Sequence, residues 1–214
     1  MGLRHWLIAA LLAAYATLAH SAGEGQDISV KVVRDGETLQ VDSELRVRAN
    51  PRDVWDVLTD YDNMPRYVST LQASSIEKRS GNQLQVTQRG TVQFALLSFP
   101  FTTVRQIDLV PYTEIRTTVI DGSMKSSQFV TTIIATPEET RIVQHGSVVP
   151  DIWIPPGIGP AIIAERTRVQ WQEFRTEILR RSANLAQPAP SALPVSPQSA
   201  AGPSNADTAQ NRRQ

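Results

Sequence analysis

The sequence predicts an α+β fold in which a strand meander and a closing helix enclose a hydrophobic cavity. Residues 50–68 have the pattern of a capped helix, an acidic and aromatic turn, and a brief second helix. From about residue 71 to 150, strand patterns alternate with turn signals and no helical pattern intervenes, which indicates an antiparallel meander. From about residue 161 to 184, apolar residues recur at the spacing of a helix with one buried face.

The 214 residues divide into three expected parts. Residues 1–21 combine a basic start with an apolar run, which predicts an export signal peptide cleaved after Ser21 or Ala22, with an uncleaved anchor as the alternative. Residues 28–184 are expected to form a single domain, and residues 185–214 a disordered tail rich in Pro, Ser and Ala. We therefore expect an exported protein, either periplasmic or secreted.

Composition excludes several classes of function. The formal net charge is zero, so no basic excess supports binding to a nucleic acid backbone. The sequence contains no cysteine, which excludes disulfides, cysteine nucleophiles and thiolate metal sites. The hydrophobic core must therefore stabilise the domain alone.

The first expected elements are a hairpin and a capped helix. Residues 28–34 and 38–48 alternate in polarity and are joined by Asp35-Gly36, a strong hairpin signal. The side chain of Asn50 can cap the following helix, and Pro51 suits the first position of that helix. The buried stripe of this helix is expected at Val54, Val57, Leu58 and Tyr61, with Trp55 beside it.

Six further strands are predicted before the closing helix. Alternation and turn residues place them at about 71–78, 84–94, 99–110, 113–120, 125–135 and 140–149. The strand at 99–110 places a single charged residue on its apolar face, since that face consists of Phe99, Phe101, Thr103, Arg105, Ile107 and Leu109.

Residues 49–68, ANPRDVWDVLTDYDNMPRYV, resemble a known family. The stretch is similar to the opening of the polyketide cyclase/dehydrase group and of the coenzyme Q-binding START-domain proteins, both of the START-like superfamily. The resemblance covers residues 38–183. It implies the helix-grip fold, a curved antiparallel sheet wrapped around a long C-terminal helix, with two short helices after the first strand. Family members bind isoprenoid quinones, lipids, sterols or polyketides in a cavity between sheet and helix, and a minority are enzymes.

The resemblance and the apolar strand faces lead to one expected function and two alternatives. We expect a non-catalytic binding protein for an isoprenoid quinone, a lipid or a polyketide-like ligand, with transient membrane contact and neither cofactor nor metal. The first alternative is a cyclase or hydrolase acting on a polyketide-like substrate, with Arg105 and His145 as acid and base, which requires the two side chains to meet in one cavity. The second is an interaction module that uses the Pro-rich tail.

We predict a ligand cavity and no catalytic residues. The expected cavity lining is Gln88, Phe94, Phe101, Arg105, Trp153, Trp171 and Phe174. A buried guanidinium is costly unless it is paired, so Arg105 is expected to bind a carbonyl or carboxylate of the ligand. The alternative is that its strand end lies at the sheet edge and its side chain extends to water. His145 alone cannot form a zinc site and is expected to be an ordinary strand histidine.

Two other features carry weaker expectations. Asp56 and Asp60 lie four residues apart on the polar helix face and, with Asp62, are predicted to be a solvated surface. Residues 96–101 and 153–158 are rich in apolar side chains, which predicts a cavity mouth or a lip that contacts a membrane. The alternative is that these two loops pack on each other.

Overall fold

The computed structural model describes residues 27–94, 97–151 and 159–186, so the expected signal peptide and most of the tail lie outside the described residues. The strands are β1 (Ile28–Asp35), β2 (Thr38–Val47), β3 (Leu71–Ser80), β4 (Gln83–Phe94), β5 (Leu97–Val110), β6 (Glu114–Gly122), β7 (Met124–Ala135) and β8 (Thr140–Pro150). Two α-helices, α1 (Pro51–Leu58) and α2 (Gly159–Ala186), and a short 3₁₀ helix (Tyr61–Arg66) complete the domain.

The eight strands form one antiparallel sheet in the order β1-β2-β8-β7-β6-β5-β4-β3. Tight turns join most neighbours, and Gly36 adopts a φ of 60° in the first hairpin, a conformation that glycine reaches without a Cβ penalty. The two short helices carry the chain from β2 to β3 at the far edge, so β2 pairs with the last strand. They follow the second strand rather than the first, because the hairpin adds β1 as an edge strand.

Local signals place α1 as predicted. The Asn50 side chain accepts a hydrogen bond from the backbone N–H of Arg52 at 2.9 Å, and Pro51 occupies the start of the helix. Its apolar stripe is buried in the core, at Val54, Trp55, Val57 and Leu58. The 3₁₀ helix that follows buries Tyr61 and Met64 and packs beside β3.

The closing helix α2 packs tightly over only part of its length. Trp171, Phe174 and Ile178 join the core, which also contains residues of β1, β2 and α1. By contrast, none of residues 160–170 is buried. The helix therefore lies against the β1–β2 side of the sheet with its C-terminal half and is loosely packed in its N-terminal half. None of the described helices combines the length and apolar character needed to cross a membrane.

Candidate functional site

The closing helix leaves part of one face of the sheet uncovered. The face of the sheet that meets the helix, here the inner face, is marked by Trp171, whose Nε1 donates a hydrogen bond to Ser43 Oγ at 2.9 Å. Several residues of this face keep accessible surface although they lie in the middle of the sheet: Thr117, Val119, Phe129 and Gln144. Because α2 packs mainly on β1 and β2, this part of the inner face borders space that the helix does not fill, which we call the central hollow.

Arg105 lies on the inner face, beside this space. Its neighbours across the strands are Val86 on β4 and Val119 on β6. Its Nε donates a hydrogen bond to Thr103 Oγ1 at 3.3 Å. Burial lowers the pKa of the guanidinium, an effect that the Tyr61 phenol opposes, yet the side chain is only half-buried. The guanidinium is therefore inside the domain but open to the hollow.

The alternative position of Arg105 at a sheet edge is wrong. Strand β5 lies between β4 and β6, and Arg105 pairs with residues of both. An interior strand offers no edge along which the side chain could reach water. The guanidinium must consequently be satisfied inside the domain or by a bound molecule.

Polar side chains gather around Arg105 under the 3₁₀ helix. Gln88 is buried, and its Nε2 donates hydrogen bonds to Ser74 Oγ at 3.2 Å and to Met64 Sδ at 3.5 Å. Tyr61 is buried, and burial raises the pKa of its phenol well above the usual range, so the hydroxyl is neutral at physiological pH. Arg105, Thr103, Gln88 and Tyr61 together form what we call the polar end of the hollow.

The structure brings part of the predicted lining to one face. Gln88, Phe101 and Arg105 share the inner face of β4 and β5, as their register requires. Trp171 and Phe174 lie in the packed core, with ring centroids 5.7 Å apart. The side chains of Phe94 and Trp153 lie outside the described residues. Contact of these residues with a ligand stays a prediction.

Tyr61 was not among the predicted site residues, because its sequence position fits the apolar stripe of α1 equally well.

The proposed acid and base pair does not meet in the cavity. His145 lies on the outer face of β8, where its Nδ1 is 2.7 Å from Asp42 Oδ1 and its side chain is 66% exposed. Arg105 lies on the inner face. The pairs Ile142-Val143 and Val148-Val149 place apolar residues on both faces of β8, which conceals the face of His145 in the sequence. The cyclase or hydrolase alternative built on Arg105 and His145 therefore lacks an acid and a base that meet in one cavity.

Within the described residues, no cluster of three or more His, Cys, Asp or Glu side chains could hold a metal ion.

The acidic residues around position 60 form more hydrogen bonds within the domain than predicted. Asp60 Oδ2 accepts a hydrogen bond from Arg181 Nη2 at 2.7 Å, which ties the 3₁₀ helix to α2. Asp62 Oδ1 accepts one from the backbone N–H of Ile76 at 2.8 Å. The prediction of a solvated acidic surface is correct for Asp56 and Asp62, which are exposed, and wrong for Asp60, which is half-buried and paired with Arg181. The partners were hidden because they lie far away in the sequence.

Two surface pockets, of about 350 and 300 Å³, lie along α2 and involve none of the predicted cavity residues. The larger one is lined by Asp60, Asn63, Arg66, Tyr67, Glu177, Arg180 and Arg181. Its charges largely pair with one another, since Glu177 accepts hydrogen bonds from Arg180 and Arg181 at 2.7 Å. The side chains that line this pocket form a network of ion pairs that joins the 3₁₀ helix to α2.

Comparison with known proteins gives one matching family. The family described as polyketide cyclase / dehydrase and lipid transport matches residues 47–174, more than half of the chain. No curated protein matches the sequence.

Several solved structures share the fold at low sequence identity. A STAR-related lipid transfer protein from Xanthomonas axonopodis has a TM-score of 0.60 at 13% identity, covering 74% of this chain and 97% of that one. A START superfamily protein from Mycobacterium smegmatis gives 0.58 at 12% identity, with 66% and 98% covered. The Zhui aromatase/cyclase from Streptomyces sp. R1128 gives 0.56 at 14% identity, with 70% and 96% covered. These similarities establish the helix-grip fold.

Proposed function

Because the chain belongs to the polyketide cyclase / dehydrase and lipid transport family, we propose that it binds a hydrophobic small molecule in the central hollow without transforming it. The supporting observation is the half-buried Arg105 on the inner face, which gives a hollow with apolar side chains at Val86, Val119 and Phe129 one charged anchor. Apolar walls with a few placed polar groups are what a small hydrophobic ligand requires.

The non-catalytic part of the proposal is supported by the separation of Arg105 and His145 on opposite faces of the sheet. Solved structures of this fold include both a lipid transfer protein and an aromatase/cyclase, so the fold alone does not choose between carriage and catalysis. An isoprenoid quinone, a lipid and a polyketide-like molecule are the ligand classes proposed.

The binding proposal is tested by native mass spectrometry of the purified protein, followed by organic extraction and identification of any bound molecule. The emptied protein is then offered ubiquinone, palmitate and a phospholipid. We expect a bound hydrophobic molecule after purification, or uptake of at least one of the three. A protein that is empty and takes up none of them would overturn the proposed function.

A matched pair of variants links binding to the hollow. Arg105→Leu removes the guanidinium from the inner face, whereas Arg89→Leu makes the same change on the exposed outer face of β4. We expect lower ligand occupancy only in Arg105→Leu. Equal occupancy in both variants would place the ligand elsewhere.

Export and membrane contact are further proposals. They are supported by the basic and apolar pattern of residues 1–21 and by the apolar stretch at 153–158, both outside the described residues. Cell fractionation of a tagged full chain, compared with a chain lacking residues 1–21, tests export. Retention of both forms in the cytosol would contradict it.

A further inference from the structure

The charge of Arg105 has no counter-charge among the residues that the structure describes. Among the described residues, no carboxylate forms an ion pair with it, and its only hydrogen bond is the one from Nε to Thr103. The acids of the 3₁₀ helix that covers this end of the hollow are engaged elsewhere: Asp60 pairs with Arg181, and Asp62 accepts a hydrogen bond from the backbone N–H of Ile76. A guanidinium in a hollow without an anion is electrostatically incomplete.

A second unused donor lies near the first. The Tyr61 hydroxyl makes no hydrogen bond to the described residues. This oxygen and the terminal nitrogens of Arg105 each keep some accessible surface, since none of them is a fully buried atom without a partner. The 3₁₀ helix that carries Tyr61 lies over this part of the inner face, because Met64 Sδ accepts a hydrogen bond from Gln88, the next inner-face residue of β4 after Val86, the neighbour of Arg105. The terminal nitrogens of Arg105 and the Tyr61 hydroxyl therefore lie at the same end of the hollow, where none of the described residues accepts a hydrogen bond from them.

The side chains beside Arg105 on the inner face are apolar, so they do not favour a ligand that is polar along its whole length. The strand neighbours of Arg105 are Val86 and Val119, and Phe129 and Phe101 continue the inner face on either side. A ligand must therefore combine one strong acceptor with an apolar body. A planar carboxylate matches the fork of a guanidinium, and a charged acceptor makes hydrogen bonds about twice as strong as a neutral one.

We propose that the ligand of the central hollow is an anionic amphiphile, whose carboxylate-type head is bound by Arg105 and Tyr61 and whose apolar body lies along the inner face. This inference rests on the proposed binding function and narrows it from hydrophobic molecules in general to acidic ones. A neutral quinone would leave the charge of Arg105 uncompensated.

The first test compares head groups on the unmodified protein. The emptied protein is titrated with palmitate, cetyl alcohol and methyl palmitate, which share an apolar chain and differ in charge. We expect palmitate to bind about tenfold to a hundredfold more tightly than the two neutral molecules, as charge-assisted hydrogen bonds predict. Equal binding of all three would overturn the anionic ligand and leave the proposed function intact. Binding of none would overturn the anionic amphiphile, whereas the proposed function would then be decided by the uptake of ubiquinone or a phospholipid.

The second test assigns the preference to residues. Arg105→Leu should bind palmitate and cetyl alcohol equally. Arg105→Lys should retain part of the preference for palmitate, because the positive charge remains. Tyr61→Phe should weaken the binding of palmitate by about threefold to tenfold. Arg89→Leu, on the outer face, should leave the preference unchanged. Thermal unfolding of each variant identifies any that fail to fold. A folded Arg105→Leu protein that still prefers palmitate would overturn the proposal.

Discussion

Glu177 provides the sharpest test of what holds the closing helix in place. The side chain is buried on α2 and accepts hydrogen bonds at 2.7 Å from Arg180 and Arg181. Arg181 in turn donates to Asp60 and lies 5.5 Å from the centroid of the Tyr67 ring. Replacing Glu177 by Gln keeps the shape of the side chain and removes its charge. We expect this single change to weaken the connection between α2 and the 3₁₀ helix.

The size of the effect follows from the pKa of the carboxyl. Hydrogen bonding from Arg180, opposed by burial, lowers the pKa of Glu177 from 4.5 to about 2. Each pKa unit corresponds to about 1.4 kcal/mol, which sets an upper limit of about 3 kcal/mol. The Arg180 side chain is 58% exposed, so solvent screening reduces the expected loss to about 1–2 kcal/mol.

The sign of the pH dependence is fixed by the same shift. A carboxyl whose pKa is lower in the folded state stabilises the protein above its ordinary pKa. That contribution is present above about pH 4.5 and is lost as the pH falls to about 2. The free energy of unfolding of wild type should therefore exceed that of Glu177→Gln at neutral pH, and the two values should converge near pH 2.

Urea unfolding across this pH range measures the difference directly. Glu165→Gln is the matched control, because Glu165 is exposed on the same helix and its single ion pair among the described residues is with Arg168, one turn away. We expect the control to change stability by less than about 0.5 kcal/mol at every pH. A Glu177→Gln difference that stays constant down to pH 2 would refute the electrostatic reasoning.

Three further predictions concern the architecture. Gly90→Ala should destabilise the domain by several kcal/mol, because the added Cβ would lie 2.0 Å from the backbone oxygen of Thr70. Asn50→Ala should cost about 1 kcal/mol, since it removes the side chain that caps α1. Trp171→Phe should cost about 2 kcal/mol or more, because it leaves the buried Ser43 hydroxyl without its donor and removes packed ring atoms.

Urea unfolding at neutral pH measures all three changes, and each has a contrary outcome. A Gly90→Ala protein as stable as wild type would mean that the Thr70 backbone does not approach β4 so closely. For the cap, Asn50→Asp should preserve stability, and an equal loss in both variants would contradict the capping role. If Ser43→Ala together with Trp171→Phe were no less destabilising than the sum of the single changes, the hydrogen bond would contribute nothing.

Much of the fold could be predicted because its signals are local. Asn50 and Pro51 define the start of α1 through the geometry of a single turn. Asp35-Gly36 sets the first hairpin, and the alternation along β5 places Arg105 on the same face as Ile107. Those placements depend on backbone periods of two or about four residues, which any stretch of sequence displays by itself.

The site was predicted less completely, and the reason differs by residue. Arg105 was found because a charge among apolar positions is visible in the alternation of one strand. Tyr61 was missed because a tyrosine fits an apolar helix stripe and a polar site equally well. His145 was ambiguous because β8 has apolar residues on both faces, and only pairing with Asp42 on β2 fixes its side.

The sequence by itself determined the order of elements, the inner and outer faces of most strands and the single charge on the inner face of β5. Only the tertiary structure decided what surrounds that charge. Tyr61 and Arg105 lie at the same end of the hollow although 44 positions separate them, and Asp60 pairs with Arg181 across a separation of 121. Contacts at such separations follow from how the sheet curves and where α2 packs. The hollow itself arises because the C-terminal half of α2 is buried against β1 and β2 while residues 160–170 are not.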